Sequence, residues 1–386
     1  MTNINSIAFA LDTANVPSFL LDWELTKLCN LDCSYCSTGL YGGHDNTTHH
    51  PPLEGCLRTI DFMYEYVDLY MQHKKPSQRK VILNVYGGES LFHPDIVEIL
   101  QACRVRHQKY KDSWYLTICC TTNAIVGENR WEEIMPLIDN FTLSYHSENL
   151  PKQKAIFQTN TLRLKDINKS FRVVMVMHNK QQYWDDCLSI SKWFELNDIN
   201  YTLKPLDNSE PEWNYSPEQF DTLKTFWASK VPATQKIDFK KSIDSIGTMT
   251  EVSSIHTGRS CCGGRKLSTN GDLKSNVTFV PKQDFRGWSC SVNWFFLFVR
   301  QLDGVVYTNK DCMTSTSGSI EPLGNLLDSG AIIQTLKQQL EGNMPIIKCV
   351  KSICRCGFCA PKAENESKFL ELIKRNVPVD IFQKTC

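Results

Sequence analysis

The stretch Cys29-Asn30-Leu31-Asp32-Cys33-Ser34-Tyr35-Cys36 sets three thiols at C-x3-C-x2-C spacing, just behind a strand-like run from Ser18 to Glu24. Iron–sulfur clusters are held by cysteine thiolates, four for a complete 4Fe–4S set. Three thiolates on one short loop would leave one iron open to bind something else. The alternative is a zinc loop whose fourth ligand comes from elsewhere, His44 for example.

Outward from that loop, short strand-like runs alternate with helical patterns. Lys80 to Tyr86 reads as a strand ending in Gly87-Gly88-Glu89, and Trp114 to Thr121, Asn140 to Tyr145, Arg172 to Met177 and Ile199 to Leu203 read as further strands. Helical patterns lie between them. The one from Gly55 to His73 carries Ile60, Met63, Tyr64, Val67, Tyr70 and Met71 on one face. Strand and helix in alternation predict an α/β fold with a parallel sheet, and six such units make an open partial barrel. Ligands would gather at the carboxyl ends of its strands. Phe295 to Tyr307 reads as a hairpin turning at Asp303-Gly304. The expected division is an extension over 1–17, the barrel over 18–204, a bridging region over 205–285, a cysteine-rich domain over 286–361 and a terminal helix over 362–386.

The chain has 386 residues, 17 of them cysteine, and 42 Lys+Arg balance 42 Asp+Glu. The charge balance excludes a broadly basic protein that coats nucleic acid or membrane by charge alone. The longest apolar run, Trp294 to Val299, is far too short to span a membrane. Met1 to Asn15 lacks the basic-then-apolar order of a signal peptide. The expectation is a cytoplasmic protein without membrane attachment, in a reducing compartment where disulfides are rare. Seventeen cysteines there point to metal or to burial.

The cysteine loop resembles the signature of the radical S-adenosylmethionine (SAM) enzymes, C-x3-C-x-aromatic-C, with Tyr35 as the aromatic. A second likeness is Gly87-Gly88-Glu89 after the second strand. In that family this stretch holds the amino group of the SAM methionine. Glycines permit close backbone approach, and a carboxylate accepts hydrogen bonds from an ammonium. Thr121-Thr122-Asn123 and Ser144-Tyr145-His146-Ser147 match strand-end elements of the family more loosely. His146 stands where relatives often carry an Asp, and it contacts SAM, contacts substrate or makes a structural hydrogen bond. The resemblance implies a partial (β/α)6 barrel in which Cys29, Cys33 and Cys36 hold a 4Fe–4S cluster. Tyr35, Gly87, Gly88, Glu89, Asn123, Ser144 and His146 would then surround SAM. It implies that the reduced cluster cleaves SAM to methionine and a 5′-deoxyadenosyl radical, which takes a hydrogen atom from substrate.

Cys290, the hairpin glycine Gly304, Cys312 and the run Pro322-Leu323-Gly324-Asn325-Leu326 resemble the SPASM or twitch extension found after many such barrels. The spacing from Gly304 to Cys312 is longer than usual there. The resemblance implies one or two auxiliary iron–sulfur clusters, with ligands drawn from Cys261, Cys262, Cys290, Cys312, Cys349, Cys354, Cys356 and Cys359. Zinc is the alternative. Cys56, Cys103, Cys119, Cys120, Cys187 and Cys386 read as bystanders, and His49-His50 as a solvated loop.

Such auxiliary clusters are associated with peptide or protein substrates, and the expected reaction is modification of a peptide or protein side chain. Modification of a nucleotide or nucleic-acid base is the alternative within enzymes. A non-catalytic, zinc-containing nucleic-acid-binding protein is the alternative outside them. The enzyme would need a reductant such as flavodoxin or ferredoxin.

Overall fold

A computed structural model describes residues 19–36, 49–206, 214–229, 286–308, 321–342, 344–350 and 362–374. Six parallel strands stand side by side in chain order: β1 (Phe19–Thr26), β2 (Lys80–Gly87), β3 (Tyr115–Thr122), β4 (Asn140–His146), β5 (Ser170–Met177) and β6 (Tyr201–Pro205). Between them run α1 (Leu53–Met71), α2 (Ile96–His107), α3 (Glu128–Ile134), α4 (Pro151–Asp166) and α5 (Gln181–Leu196). Parallel strands in sequential order, joined by right-handed crossovers, put every helix on the same face of the sheet. All six carboxyl ends then share one rim.

The period of two decides which residues face those helices. On β3 and β4 buried positions alternate with half-buried ones. Ile118, Cys120, Phe141, Leu143 and Tyr145 are buried in the core with Trp131, Phe157 and Phe194. The opposite face is polar, with Asp22, Asn84, Cys119 and Asn140 neighbouring one another across the register. Thr121, Thr142 and Arg172 form the next row toward the carboxyl rim. The expected face of α1 is fully buried, and Phe19 packs on Tyr70 with ring centroids 4.9 Å apart. Each such apolar side chain contributes roughly 1.5–3 kcal/mol by leaving water.

The sheet does not stop at β1. β8 (Phe296–Arg300) pairs with it in parallel, and β9 (Val305–Tyr307) and β10 (Gly324–Asn325) continue outward antiparallel. β1 is therefore a central strand, which is why all eight of its residues are buried. The hairpin turns at Asp303-Gly304 as its sequence predicts. Gly304 has φ +70°, a left-handed conformation that favours glycine. Leu326 donates its N–H to the Gly304 carbonyl at 2.7 Å, and Asn325 donates its side-chain amide to the Asp303 carbonyl at 2.7 Å. The Leu-Gly-Asn run thus docks on the hairpin turn.

A second sheet has β7 (Ser289–Cys290) at its centre, between β11 (Ile347–Lys348) and β12 (Lys362–Ala363), both antiparallel to it. The buried Trp294 anchors this part. Its indole N–H donates to the Pro345 carbonyl at 2.9 Å, and Phe369 of α8 (Glu366–Lys374) meets its ring edge-on. α6 (Pro217–Ser229) and α7 (Ser329–Glu341) complete the helices among the described residues. No helix there is long and apolar enough to cross a membrane.

Candidate functional site

The cysteine loop leaves β1 at the carboxyl rim and is tied in turn to the ends of β2, β3 and β4. The first tie is backbone to backbone. Gly88 donates its N–H to the Thr26 carbonyl at 2.8 Å, and Glu89 donates to Leu28, the residue before Cys29, at 2.8 Å. The two glycines are needed for this apposition. A Cβ on Gly87 would sit 2.1 Å from the Thr26 carbonyl oxygen, and one on Gly88 would sit 2.4 Å from those of Lys27 and Leu28.

The second tie runs to β3. Asn123 donates its side-chain amide to Asn30 Oδ1 at 2.7 Å, and Asn30 donates to the Ile125 carbonyl at 2.9 Å. Glu89 holds the β2 and β3 ends together. Its carboxylate accepts from the N–H of Leu91 at 3.0 Å, the hydroxyl of Thr122 at 2.8 Å and the N–H of Asn123 at 2.6 Å. Burial pushes this carboxyl up to about 7, against those three hydrogen bonds, which pull it down. Ala124 follows in the left-handed region at φ +55°, held by its N–H to Thr122 Oγ1 and by Asn160 on its carbonyl.

The third tie reaches β4. Glu148 accepts from the backbone N–H of Ser34 at 2.7 Å and from its hydroxyl at 2.5 Å. The Oε1 atom that takes the Ser34 hydroxyl also lies 3.2 Å from Nε2 of the fully buried His178, just past β5. His146 Nδ1 lies 2.6 Å from Tyr35 Oη and 3.7 Å from Cys33 Sγ. Burial, with Lys204 nearby, pushes the imidazole down to about 4, so the ring is neutral near pH 7. Ser144 is half-buried on the same face of β4, two residues before His146.

Cys33 is buried, and Cys29 and Cys36 are half-buried. Burial pushes the thiols of Cys29 and Cys33 up to about 12 and raises that of Cys36 as well. Glu89 and Cys36 add to the effect at Cys29, and Cys29 adds to it at Cys33. Burial raises the thiols of Cys56 and Cys103 in the same way, so the fit to an iron–sulfur cluster rests on the donor set itself, three thiols on one short loop. Among the described residues no three His, Cys, Asp or Glu converge closely enough to hold a single metal ion.

Sequence reasoning singled out the thiols, the Gly-Gly-Glu turn, Asn123 and His146, and the structure gathers them on one rim. It did not single out Asn30, Ser34, Glu148 or His178, whose roles depend on contacts across the sheet. The reading of His49-His50 as solvated needs correction for His50. His49 is exposed, but His50 is half-buried, lies 3.0 Å from Thr26 Oγ1 through Nδ1 and packs on His93 at 4.9 Å.

Of the auxiliary candidates, Cys290 and Cys349 are described. Cys261, Cys262, Cys312, Cys354, Cys356 and Cys359 lie outside the described residues. Ile347 pairs with Cys290, and Cys349 donates its N–H to the Trp288 carbonyl at 2.7 Å while its own carbonyl accepts from Gly287. That register makes Cys290 and Cys349 diagonal neighbours on one face, a separation of roughly 7–8 Å between Cα atoms. Cys56, Cys103, Cys120 and Cys187 are buried, Cys119 lies on the polar face, and Cys386 is outside the described residues.

No protein-family model matches the sequence, and no curated protein matches it either. Among solved structures the chain is similar to a histidine-tagged anSMEcpe with bound AdoMet, at 16% identity and a TM-score of 0.49, over 85% of this chain and 81% of that one. It is similar to native anSMEcpe with bound AdoMet and Cp18Cys peptide, at 16% identity and a TM-score of 0.46, over 83% and 81%. It is also similar to Streptococcus suis SuiB bound to S-adenosylmethionine, at 12% identity and a TM-score of 0.44, over 80% and 64%. These likenesses do not decide the chemistry, which is read from this chain's own residues.

Proposed function

We propose that this chain is a radical SAM enzyme. The observation that carries the reading is the docking of Gly87-Gly88-Glu89 on the backbone just ahead of Cys29. It sets a glycine turn suited to an amino-acid cosubstrate against a three-thiol loop, at the carboxyl rim where α/β sheets gather ligands. A zinc-binding module has no use for that pairing.

Cys29, Cys33 and Cys36 hold a 4Fe–4S cluster with one iron left open. When bound, the reduced cluster supplies the electron for reductive cleavage of SAM. Gly87, Gly88, Asn123 and Ser144 form the walls of the cosubstrate site. Glu89 fixes the β2 and β3 ends in register, and Tyr35 and His146 close the side toward β4. The polar face below, with Thr121, Thr142 and Arg172, receives the substrate group to be oxidised. Burial of the loop limits water at the reacting centre.

Cys290 and Cys349 contribute to an auxiliary iron–sulfur cluster. With that second site the favoured substrate is a peptide or protein side chain, and the electron donor is a small redox protein such as ferredoxin or flavodoxin.

Anaerobic purification, iron and zinc analysis, and incubation with SAM and dithionite test the reading. Brown protein that releases 5′-deoxyadenosine is expected. A colourless, zinc-loaded chain that releases none after full reconstitution overturns it.

A further inference from the structure

Cys33, Tyr35 and His146 meet although Tyr35 and His146 are 111 residues apart in sequence. The alternation of β4 sends His146 to the polar face. There its ring stacks on Tyr35, with centroids 6.0 Å apart and an interplanar angle of 15°. His178 meets the Tyr35 ring edge-on at 5.8 Å. The phenol is held between two imidazoles, with His146 Nδ1 2.6 Å from its hydroxyl and 3.7 Å from Cys33 Sγ, and the hydroxyl bonds that sulfur as well.

We propose that His146 and Tyr35 form a two-step hydrogen-bond relay that ends on the Cys33 sulfur and raises the reduction potential of the cluster bound there. This rests on the reading that Cys33 is a cluster ligand. A metal-bound thiolate has only lone pairs to offer, so the Tyr35 proton points at Sγ. The phenol oxygen is then left as an acceptor, and a ring proton on His146 Nδ1, 2.6 Å away, donates to it. Adding an electron to a cluster increases the negative charge on its sulfurs. Donors aimed at a sulfur therefore stabilise the reduced form, and hydrogen bonds to sulfur are among the determinants of cluster potential. At 2.6 Å from Tyr35 Oη against 3.7 Å from Cys33 Sγ, His146 acts chiefly through Tyr35 and is a positioning residue.

The test is a redox titration of the reconstituted full-length chain without SAM, followed by the electron paramagnetic resonance signal of the reduced cluster. The variants are Tyr35→Phe, His146→Phe and the two combined, all of which keep an aromatic ring at each position. Both single variants are expected to shift to more negative potential at unchanged iron content. Tyr35→Phe should shift further, because it removes the group that touches sulfur. The double variant should fall short of the sum of the two single shifts, because both groups act on one sulfur and His146 chiefly through Tyr35. An unchanged or more positive potential in either single variant overturns the proposal, and so does an additive double shift. Loss of iron in both single variants assigns the pair to cluster retention and also overturns the tuning role. A wild-type chain that assembles no reducible cluster overturns the radical SAM reading itself, and the relay with it.

Discussion

The Glu148 carboxylate accepts both the backbone N–H and the hydroxyl of Ser34, at 2.7 and 2.5 Å, and so pins the segment between Cys33 and Cys36 to the end of β4. The same carboxylate faces His178 at 3.2 Å, which links the loop to the residue after β5. Hydrogen bonds to a charged group contribute about 1.5–3 kcal/mol each. Glu148→Ala is expected to loosen the loop without unfolding the barrel. Groups that orient metal ligands typically account for about 10–100-fold in metal affinity. Iron loss to a chelator should accelerate by a factor in that range, measured as absorbance decay of the reconstituted protein. An unchanged rate would show that Ser34 needs no anchor.

Gly88 and Gly127 make a matched pair for the close approach of β2 to the cysteine loop. A Cβ on Gly88 meets two backbone carbonyl oxygens at 2.4 Å, whereas one on Gly127 meets nothing within 4 Å. Backbone cannot yield as a flexible side chain can. Gly88→Ala is expected to cost more than about 2 kcal/mol, as overpacked sites do, and to lower both iron content and SAM binding. Gly127→Ala should leave iron content and SAM binding unchanged and cost no more than about 1 kcal/mol, the effect of replacing the cap of α3. Equal behaviour of the two variants in iron analysis and calorimetric SAM titration would remove the support for that apposition.

Much of this was legible in the sequence because it is local. The period of two in β3 and β4, the helical face of α1 and the three-thiol spacing each lie within one element. The pairing of β8 with β1 was not, because nothing within Phe296–Arg300 says which edge it joins. Its unbroken apolar run fits a strand buried on both faces, and only the sheet order reveals the neighbour. Glu89 shows the same limit within the site. Sequence likeness assigns its carboxylate to an ammonium; the structure adds Leu91, Thr122 and Asn123 as partners, and those at the β3 end are contacts across the sheet that no local pattern reveals.

Glu89 also predicts a pH dependence. Its folded value is about 7, against about 4.3 for an unperturbed Glu. A folded value raised above the unfolded one gives a contribution fully present below the unfolded value and lost as pH rises through the folded value. At about 1.4 kcal/mol per unit, the loss between pH 4 and pH 8 is on the order of 3 kcal/mol. Glu89→Gln removes the titration while keeping a similar shape. The stability of the metal-free wild-type chain minus that of Glu89→Gln should fall across this window and level off above it. Urea unfolding at pH 5, 6, 7 and 8 checks the slope, and a difference that stays flat would mean that the carboxyl titrates as it does in water.

Cys290 and Cys349 test the auxiliary site without knowledge of the ligands outside the described residues. Their register sets them diagonally on one face of the small sheet, close enough to serve one cluster and too far apart in Cα position for a typical disulfide, which spans about 5.5–6 Å. If both ligate the same cluster, Cys290→Ala and Cys349→Ala each remove the same amount of iron. The double variant then removes no more, because a cluster that has lost one ligand is already lost. The iron of the Cys29 loop stays in place in all three. Iron per chain, with the reduced spectrum of the remaining cluster, reads this directly. Additive losses would place the two cysteines on separate metal groups, and no loss in either single variant would return Cys290 to the role its burial alone suggests, a small apolar residue of β7.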